Sequence, residues 1–358
     1  MTGPLHGIRI VEIAGIGPGP FAGMMLADHG AEVIRVDRPG APHTPADPLL
    51  RSRRSVALDL KSPADVAALR DLCRDCDGLI EGFRPGVMER LGLGPDVLLT
   101  DNPRLVFGRM TGWGQTGPYA ARAGHDINYI AISGVLGAVG RAGERPLPPI
   151  NLVGDFGGGG MMLAFGMVSA LLNVRNGGTG QVVDCAMTEG SALLMAMMWG
   201  LRAMGMWSDQ RGVNVLDTGA PFYETYETAD GEYLALGSIE PQFYQLLLQG
   251  LGMSEEREMQ ASMDPQRWAA QKARIAEIIR TRSRADWVGA FEADACVAPV
   301  LSMTEALSDP HNLERQAFIE VAGVAQPAPA PRYSATPCAQ PVPPSRPGSD
   351  NGALLNRT

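Results

Sequence analysis

Lysine is nearly missing from this 358-residue chain. Lys61 and Lys272 are the only two lysines among 30 basic side chains, and arginine supplies the rest. A Schiff-base mechanism therefore has few candidates. Histidine is scarce as well, confined to His6, His29, His43, His125 and His311. A base working near neutral pH must come from that set or from a carboxylate with a shifted pKa. Basic excess is absent: 39 acidic residues give a net charge of −9. That balance argues against a general nucleic-acid binder, which needs cations to displace counterions.

Long apolar runs are missing too. The N-terminal MTGPLHGIRI has no basic cap and no extended apolar core, so no signal peptide is expected and the chain reads as cytoplasmic. The longest uncharged stretch, Phe156–Val174, is interrupted early by Gly157–Gly160. What remains falls short of the roughly 20 apolar residues that cross a bilayer, so a buried core helix is expected and no membrane span. Cysteine is odd in number and scattered, at Cys73, Cys76, Cys185, Cys296 and Cys338, which argues against a disulfide framework. Cys73 and Cys76 form a CxxC, but it lies in an amphipathic helical stretch with no histidine or second pair nearby, and no metal site is expected. GxSxG, the P-loop and HExxH are all absent, which lowers the hydrolase, P-loop and metalloprotease readings. Asp155-Phe156-Gly157 spells a kinase motif, without the catalytic loop that would give it meaning.

What is present is an ordinary globular mix, 45% apolar and 19% charged, with 44 glycines and 28 prolines that predict many tight turns. Gly7–Ala14 and Ala31–Asp37 read as buried parallel strands flanking a helix over Phe21–His29, a βαβ opening. Ser55–Leu60, Gly78–Glu81 and Leu105–Met110 read as further strands, and Ser62 as the cap of a helix starting at Pro63. Residues 189–207 are apolar on most faces and predict a helix buried all round, in a core or a subunit interface. Phe222–Tyr226 and Tyr233–Leu236 read as a β-hairpin, followed by helices over Gln242–Leu251, Pro265–Arg280 and Ser283–Ala293. After Ala325 the proline-rich chain should be extended, lying along another surface or disordered.

Several clusters carry possible chemistry. Gly15-Ile16-Gly17-Pro18-Gly19 after a strand, with Asp37 ending the next strand, imitates a dinucleotide fingerprint. Its spacing is wrong, and two prolines remove backbone donors where phosphate would sit. Arg51, Arg53, Arg54 and Lys61, with Arg35, Arg38, Arg84 and Arg90 near in sequence, are either a solvated face or a phosphate cradle. His125 beside Asp126 reads alone as a structural pair. Asp155, before four glycines, reads alone as a helix cap or as a carboxylate near helix amides. Glu240 precedes a helix and reads alone as a cap.

Taken together, the segments GIRIVEIAGIGPGPFAGMMLADHGAEVIRVDRP, RRSVALDLK, IEGFRPGVMERLGLG, RMTGWGQTGP, GHDINYIAISG, PPINLVGDFGGGGM, GQVVDCAM, DGEYLALGSIEPQFY and PHNLERQAF resemble the family III CoA-transferase group (CaiB/BaiF-like), and within it the α-methylacyl-CoA racemases. The matching stretches run from Leu5 to about Tyr333. The resemblance implies an α/β fold, with a Rossmann-like large domain, a smaller α+β domain and an interlocked homodimer. The implied boundaries are a CoA-binding domain over 1–188, a linker helix region over 189–220, the small domain over 221–320 and a Pro-rich segment over 321–358 returning to the large domain. It implies that His125 and Asp155 flank the α-carbon of an acyl-CoA thioester, and that Glu240 of the other subunit pairs with His125. CoA contacts carry over to Arg38, Leu58, Asp59, Leu60, Lys61, Gly82, Phe83, Arg84, Arg90, Gly124, Asp126, Ile127, Asn128 and Tyr129. The implied activity is racemisation at C2 without a cofactor, CoA being part of the substrate. The alternative is CoA transfer between carboxylic acids through an aspartyl intermediate at Asp155. The transferases that resemble this chain generally lack a histidine at the His125 position.

Overall fold

A computed structural model describes residues 3–291 and 293–355. The apolar runs become six parallel strands: β1 (Arg9–Ile13), β2 (Glu32–Asp37), β3 (Arg53–Ala57), β4 (Gly78–Glu81), β5 (Val106–Thr111) and β6 (Gln181–Ala186). Their order in the sheet is β3-β2-β1-β4-β5-β6. Alternate residues face opposite layers. Ile10, Val33, Ile80 and Val106 pack against α1 (Pro18–Asp28) and a long apolar helix. Val11, Ile34, Leu79 and Phe107 pack on the other face with Leu69 and Leu72 of α2 (Pro63–Arg74). Ser62 does cap α2, its hydroxyl accepting from the Asp65 N–H.

Strand β3 begins two residues before the expected Ser55, and the reason is chemical. Its early residues are arginines, which an apolar pattern cannot register as buried. Arg53 is 3% exposed, and its Nε donates to Oε2 of Glu12, the next-to-last residue of β1, at 3.0 Å. Arg51 grips Asp28 through two bonds of 3.0 and 2.6 Å and reaches Gln326 and Pro327. Arg54 is shared between Glu32 and Asp350. These three arginines are structural ties, so the phosphate-cradle reading fails for them.

The long apolar helix differs from expectation. The glycines do not shorten it: a π-helical turn, Leu152–Met161, runs directly into α4 (Met162–Arg175). The combined 24 residues are long and apolar enough to span a membrane, and half of the most apolar window is buried. Leu163 and Met167 lie in the core, while Phe165 and Leu172 stand 72% and 60% exposed.

The segment expected as one fully buried helix is two helices, α5 (Met187–Leu194) and α6 (Ala196–Ala203), with Met195 between them. Its burial in a core is overturned. No residue of α6 is buried, and Met197, Trp199, Met204 and Met206 are all more than half exposed. Among the described residues, nothing covers this apolar surface.

The chain divides into two compact units: residues 1–133, 150–194 and 311–358, and residues 134–149 with 195–310. The divisions differ from the expected boundaries, because residues 134–149 group with the second unit and 311–320 with the first. In the second unit, β7 (Tyr223–Glu227), β8 (Tyr233–Gly237) and β9 (Val297–Pro299) form an antiparallel sheet that includes the expected hairpin. Helices α7 (Pro241–Leu251), α8 (Trp268–Ile279) and α9 (Arg284–Ala290) close its core around Phe222, Tyr244, Trp268 and Trp287. In the first unit, β10 (Phe318–Val321) and β11 (Val324–Pro327) form a hairpin. The proline-rich chain then runs along β3. Asp350 accepts from the Ser55 N–H, Asn351 from the Ala57 N–H, and Val342 from the Ser52 N–H. An edge strand left unpaired invites association, and this segment covers it.

The Glu12–Arg53 pair generates a stability prediction. Both side chains are almost fully buried, and burial pushes the Glu12 carboxyl up against the pull of Arg53. Arg53→Ala should lower unfolding stability by about 3–5 kcal/mol, because it strands a buried charge. Glu12→Leu combined with Arg53→Met should recover most of that loss, read from denaturant midpoints. A double variant no better than Arg53→Ala contradicts the assignment.

Candidate active site

The strand order brings the carboxyl ends of β1 and β4 together, where the chain leaves in opposite directions. Open parallel sheets bind ligands at such switch points. Two adjoining clefts lie there. The first, of about 670 Å³, is lined by the turn after β1, the Gly82–Pro85 turn after β4, and Gly112 and Trp113 after β5, with His125, Tyr129, Asn151 and Asp155. The second, of about 600 Å³, is lined by Arg38, Leu58, Leu60 and Phe83. Both share Ile13–Gly17, Pro20 and Phe83.

The dinucleotide reading fails on two observations. Pro18 and Pro20 occupy the first turn of α1 and give it no N–H at those positions. Asp37 is 2% exposed and fully committed, with Oδ1 against Arg35 at 3.1 Å and Oδ2 accepting from Ser55 at 2.7 Å. Both of its oxygens are already held by neighbouring side chains, which ties it to the sheet.

His125 is the N-cap of α3 (Asp126–Ile132), and its N–H donates to Asn128 Oδ1 at 3.1 Å. The loop before it is pinned by aromatic packing. Tyr129 donates its hydroxyl to the Gly124 carbonyl and stacks edge-on against Trp113 at 4.7 Å. Any Cβ at Gly112 or Gly124 would collide with the Tyr129 ring, which explains glycine at both.

Asp155 sits in the first turn of the π-helix. Asn151, four residues earlier, donates to its Oδ2 at 3.0 Å. The carboxyl is raised above the usual aspartate range, first by burial and then by the neighbouring Asp126 charge; Asn151 and His125 oppose this. The glycines after it serve packing. Cβ atoms at Gly158, Gly159 and Gly160 would strike Ser191, Met187 and Phe21. Asp155 lies inside a helix that starts at Leu152, so both the helix-cap reading and the reading of a helix that starts after the glycines and aims its amides at the carboxylate are corrected.

Glu81 forms a support beneath the cleft. It accepts from the Phe83 N–H at 2.7 Å and from Arg109 Nε at 3.0 Å, and Arg109 also grips Glu89. Burial pushes the Glu81 carboxyl up to about 6. This carboxylate fixes the turn that presents Phe83 and Arg84.

Of the expected site residues, the first cleft gathers Gly82, Phe83, Arg84, Gly124, His125, Tyr129 and Asp155. The second gathers Arg38, Leu58, Leu60 and, again, Phe83. Asp59, Lys61, Arg90, Ile127 and Asn128 are exposed beside these walls without lining them. Asp126 is buried and turned inward. Glu240 is exposed in the second unit at the start of α7, and its carboxylate makes no cap bond. Sequence reasoning missed Asn151, Trp113 and Glu81. Asn151 had a signal, since an amide four residues before a carboxylate shares its helix face.

The family model for CoA-transferase family III matches residues 5–351. The mouse α-methylacyl-CoA racemase is 51% identical, over 93% of this chain and 87% of its own length. The human α-methylacyl-CoA racemase is 49% identical over the same shares. A crystal structure of a CaiB/BaiF family protein from Brucella suis superposes with a TM-score of 0.84 at 25% identity, covering 99% of each chain. With a Rossmann-ordered sheet, paired clefts at its switch point and this likeness along nearly its whole length, the chain belongs to CoA-transferase family III.

Proposed function

We propose that this protein is an isomerase that interconverts the (2R) and (2S) epimers of 2-methylacyl-CoA esters by proton transfer at the α-carbon. The carrying observation is that one cleft is lined by both His125 and a half-buried Asp155 whose carboxyl is raised. Inverting a stereocentre needs a base on one face and an acid on the other, each able to exchange roles. A raised carboxyl serves both roles closer to neutral pH than an ordinary aspartate. Racemase relatives at about half identity support the substrate class.

The second cleft takes the nucleotide end of CoA, with Arg38 at its wall, and the pantetheine arm crosses the shared strip at Ile13–Gly17 towards Asp155. One carboxyl or imidazole removes the α-proton, the electron pair moves onto the thioester oxygen, and the opposite group returns a proton. The reaction is redox-neutral and consumes no cofactor. CoA transfer remains the competing reaction of the family, and it would use Asp155 as a nucleophile. It does not need His125, and that residue favours racemisation.

The exposed apolar surface of α4 and α6 supports a homodimer, in which Glu240 of the partner approaches His125. Sedimentation should give twice the 38.0 kDa chain mass; a stable monomer contradicts this.

Three enzymological outcomes follow from the reading. His125→Ala and Asp155→Ala should each lower racemisation ~10²–10⁴-fold, the usual worth of a positioned acid or base. Full activity in either variant removes that residue. Arg38→Ala and Arg84→Ala should raise KM far more than they lower kcat, because contacts remote from the α-carbon bind ground and transition states alike. Unchanged KM in both returns them to solvated surface. Hydroxylamine should trap no acyl adduct at Asp155, and an added carboxylic acid should receive no CoA. A trapped adduct with CoA moved to the acid establishes the transferase instead.

A further inference from the structure

We propose that Asp126 is a positioning residue that sets the spacing of the two proton-transfer groups: its main chain carries His125, and its carboxylate grips the main chain of Asp155. The inference rests on the proton-transfer reading of the site. Asp126 was expected as a CoA contact, but its side chain turns away from both clefts. It is 5% exposed, and its Oδ2 accepts the Asp155 N–H at 2.8 Å across 29 residues of sequence.

The fit is close. A Cβ at Gly154 would lie 2.5 Å from Asp126 Oδ2, so the glycine before Asp155 is needed for this carboxylate to reach the next amide. Asp126 Oδ1 is buried with no hydrogen-bond partner among the described residues. A carboxylate at the first position of a helix ordinarily faces solvent, where the helix dipole favours it. Burying one with a single donor is costly, and a neutral side chain could accept the same N–H more cheaply. The charge therefore does something that the hydrogen bond does not.

That second effect acts on Asp155. Asp126 and His125, at the start of α3, and Tyr129, one turn later, are the titratable groups coupled to it. The α1 and α5 residues against the glycines of the π-helix, Pro18, Phe21, Met187, Gly190, Ser191 and Leu194, are not titratable, while α5 also carries Glu189 and the cleft walls carry Glu81, Arg84 and Arg122. Strand β6 brings Cys185, whose thiol is pushed up to about 12 by burial and stays neutral. Asp126 is thus the negative charge that raises the Asp155 carboxyl beyond what burial alone does, while His125 and Asn151 lower it.

The test compares kcat, KM and the pH profile of α-proton exchange from each epimer of a 2-methylacyl-CoA, in the full-length protein. Asp126→Asn keeps an acceptor and removes the charge. For the epimer from which Asp155 takes the proton, activity falls as pH drops below the Asp155 pKa. Lowering that pKa should move the acidic limb to lower pH, with the plateau kcat close to wild type. Asp126→Ala and Gly154→Ala release the grip and should lower kcat ~10²-fold with KM little changed, the cost of misplacing a reacting group by about 1 Å. An unmoved acidic limb in Asp126→Asn overturns the proposal, as does a raised KM with unchanged kcat in Asp126→Ala. If the alanine variants do not fold, the Asp126→Asn profile decides alone. Wild-type protein that exchanges no α-proton removes the proton-transfer reading along with this one. Exchange by wild type with an unshifted Asp126→Asn limb removes only this one.

Discussion

The site depends on one topological constraint. Strand β1 sits at the centre of the sheet, between β2 and β4. From β1 the chain passes to β2 and from β4 to β5, on opposite sides, so the turns after β1 and β4 diverge and leave a gap between them. The turn Ala14–Gly17, the turn Gly82–Pro85 and the strip they share are the walls of that gap. Every residue given a chemical role in the first unit either borders it or holds a residue that does. The cleft is therefore a consequence of strand order, and the family chemistry is written onto it by the residues after each strand.

Holding those turns requires buried charge, and the arginines divide accordingly. Arg51, Arg53 and Arg109 are buried and each meets a carboxylate: Asp28, Glu12 and Glu81. Arg38 and Arg84 are exposed on the cleft walls. Sequence proximity put Arg51 and Arg53 in one cluster with Arg38 and Arg84, while burial separates them. Close backbone approach works alongside the charges. Gly23 admits the Glu12–Arg53 pair, since a Cβ there would lie 2.2 Å from Glu12 Oε2. Gly154 admits Asp126 to the Asp155 amide in the same way.

How much of this was legible in the sequence varies by element. The apolar strands β1, β2, β4 and β5 were visible within a residue or two, because a strand buried on both faces leaves a continuous apolar run. Strand β3 was misplaced because its buried start is charged. The Ser62 cap was read correctly, since the cap residue and Pro63 are local signals. Residues 189–207 were not, because their composition states that something must cover them without saying whether it belongs to the same chain. The catalytic candidates were found by resemblance; alone, each had a bland alternative. Trp113, Glu81 and the inward turn of Asp126 were missed because they depend on contacts between segments far apart in sequence, whereas Asn151 carried a local signal, an amide four residues before the Asp155 carboxylate.

The central claim is that one of His125 and Asp155 removes the α-proton from one face of the α-carbon and the other delivers a proton to the opposite face. It is tested most directly by incubating a single pure epimer of a 2-methylacyl-CoA in D₂O, following deuterium entry at C2 and the epimer ratio together. The account predicts that label enters as the second epimer forms and that the mixture approaches equal amounts without any added acid. An epimer that keeps both its configuration and its α-hydrogen, while CoA passes to a carboxylic acid supplied later, contradicts it.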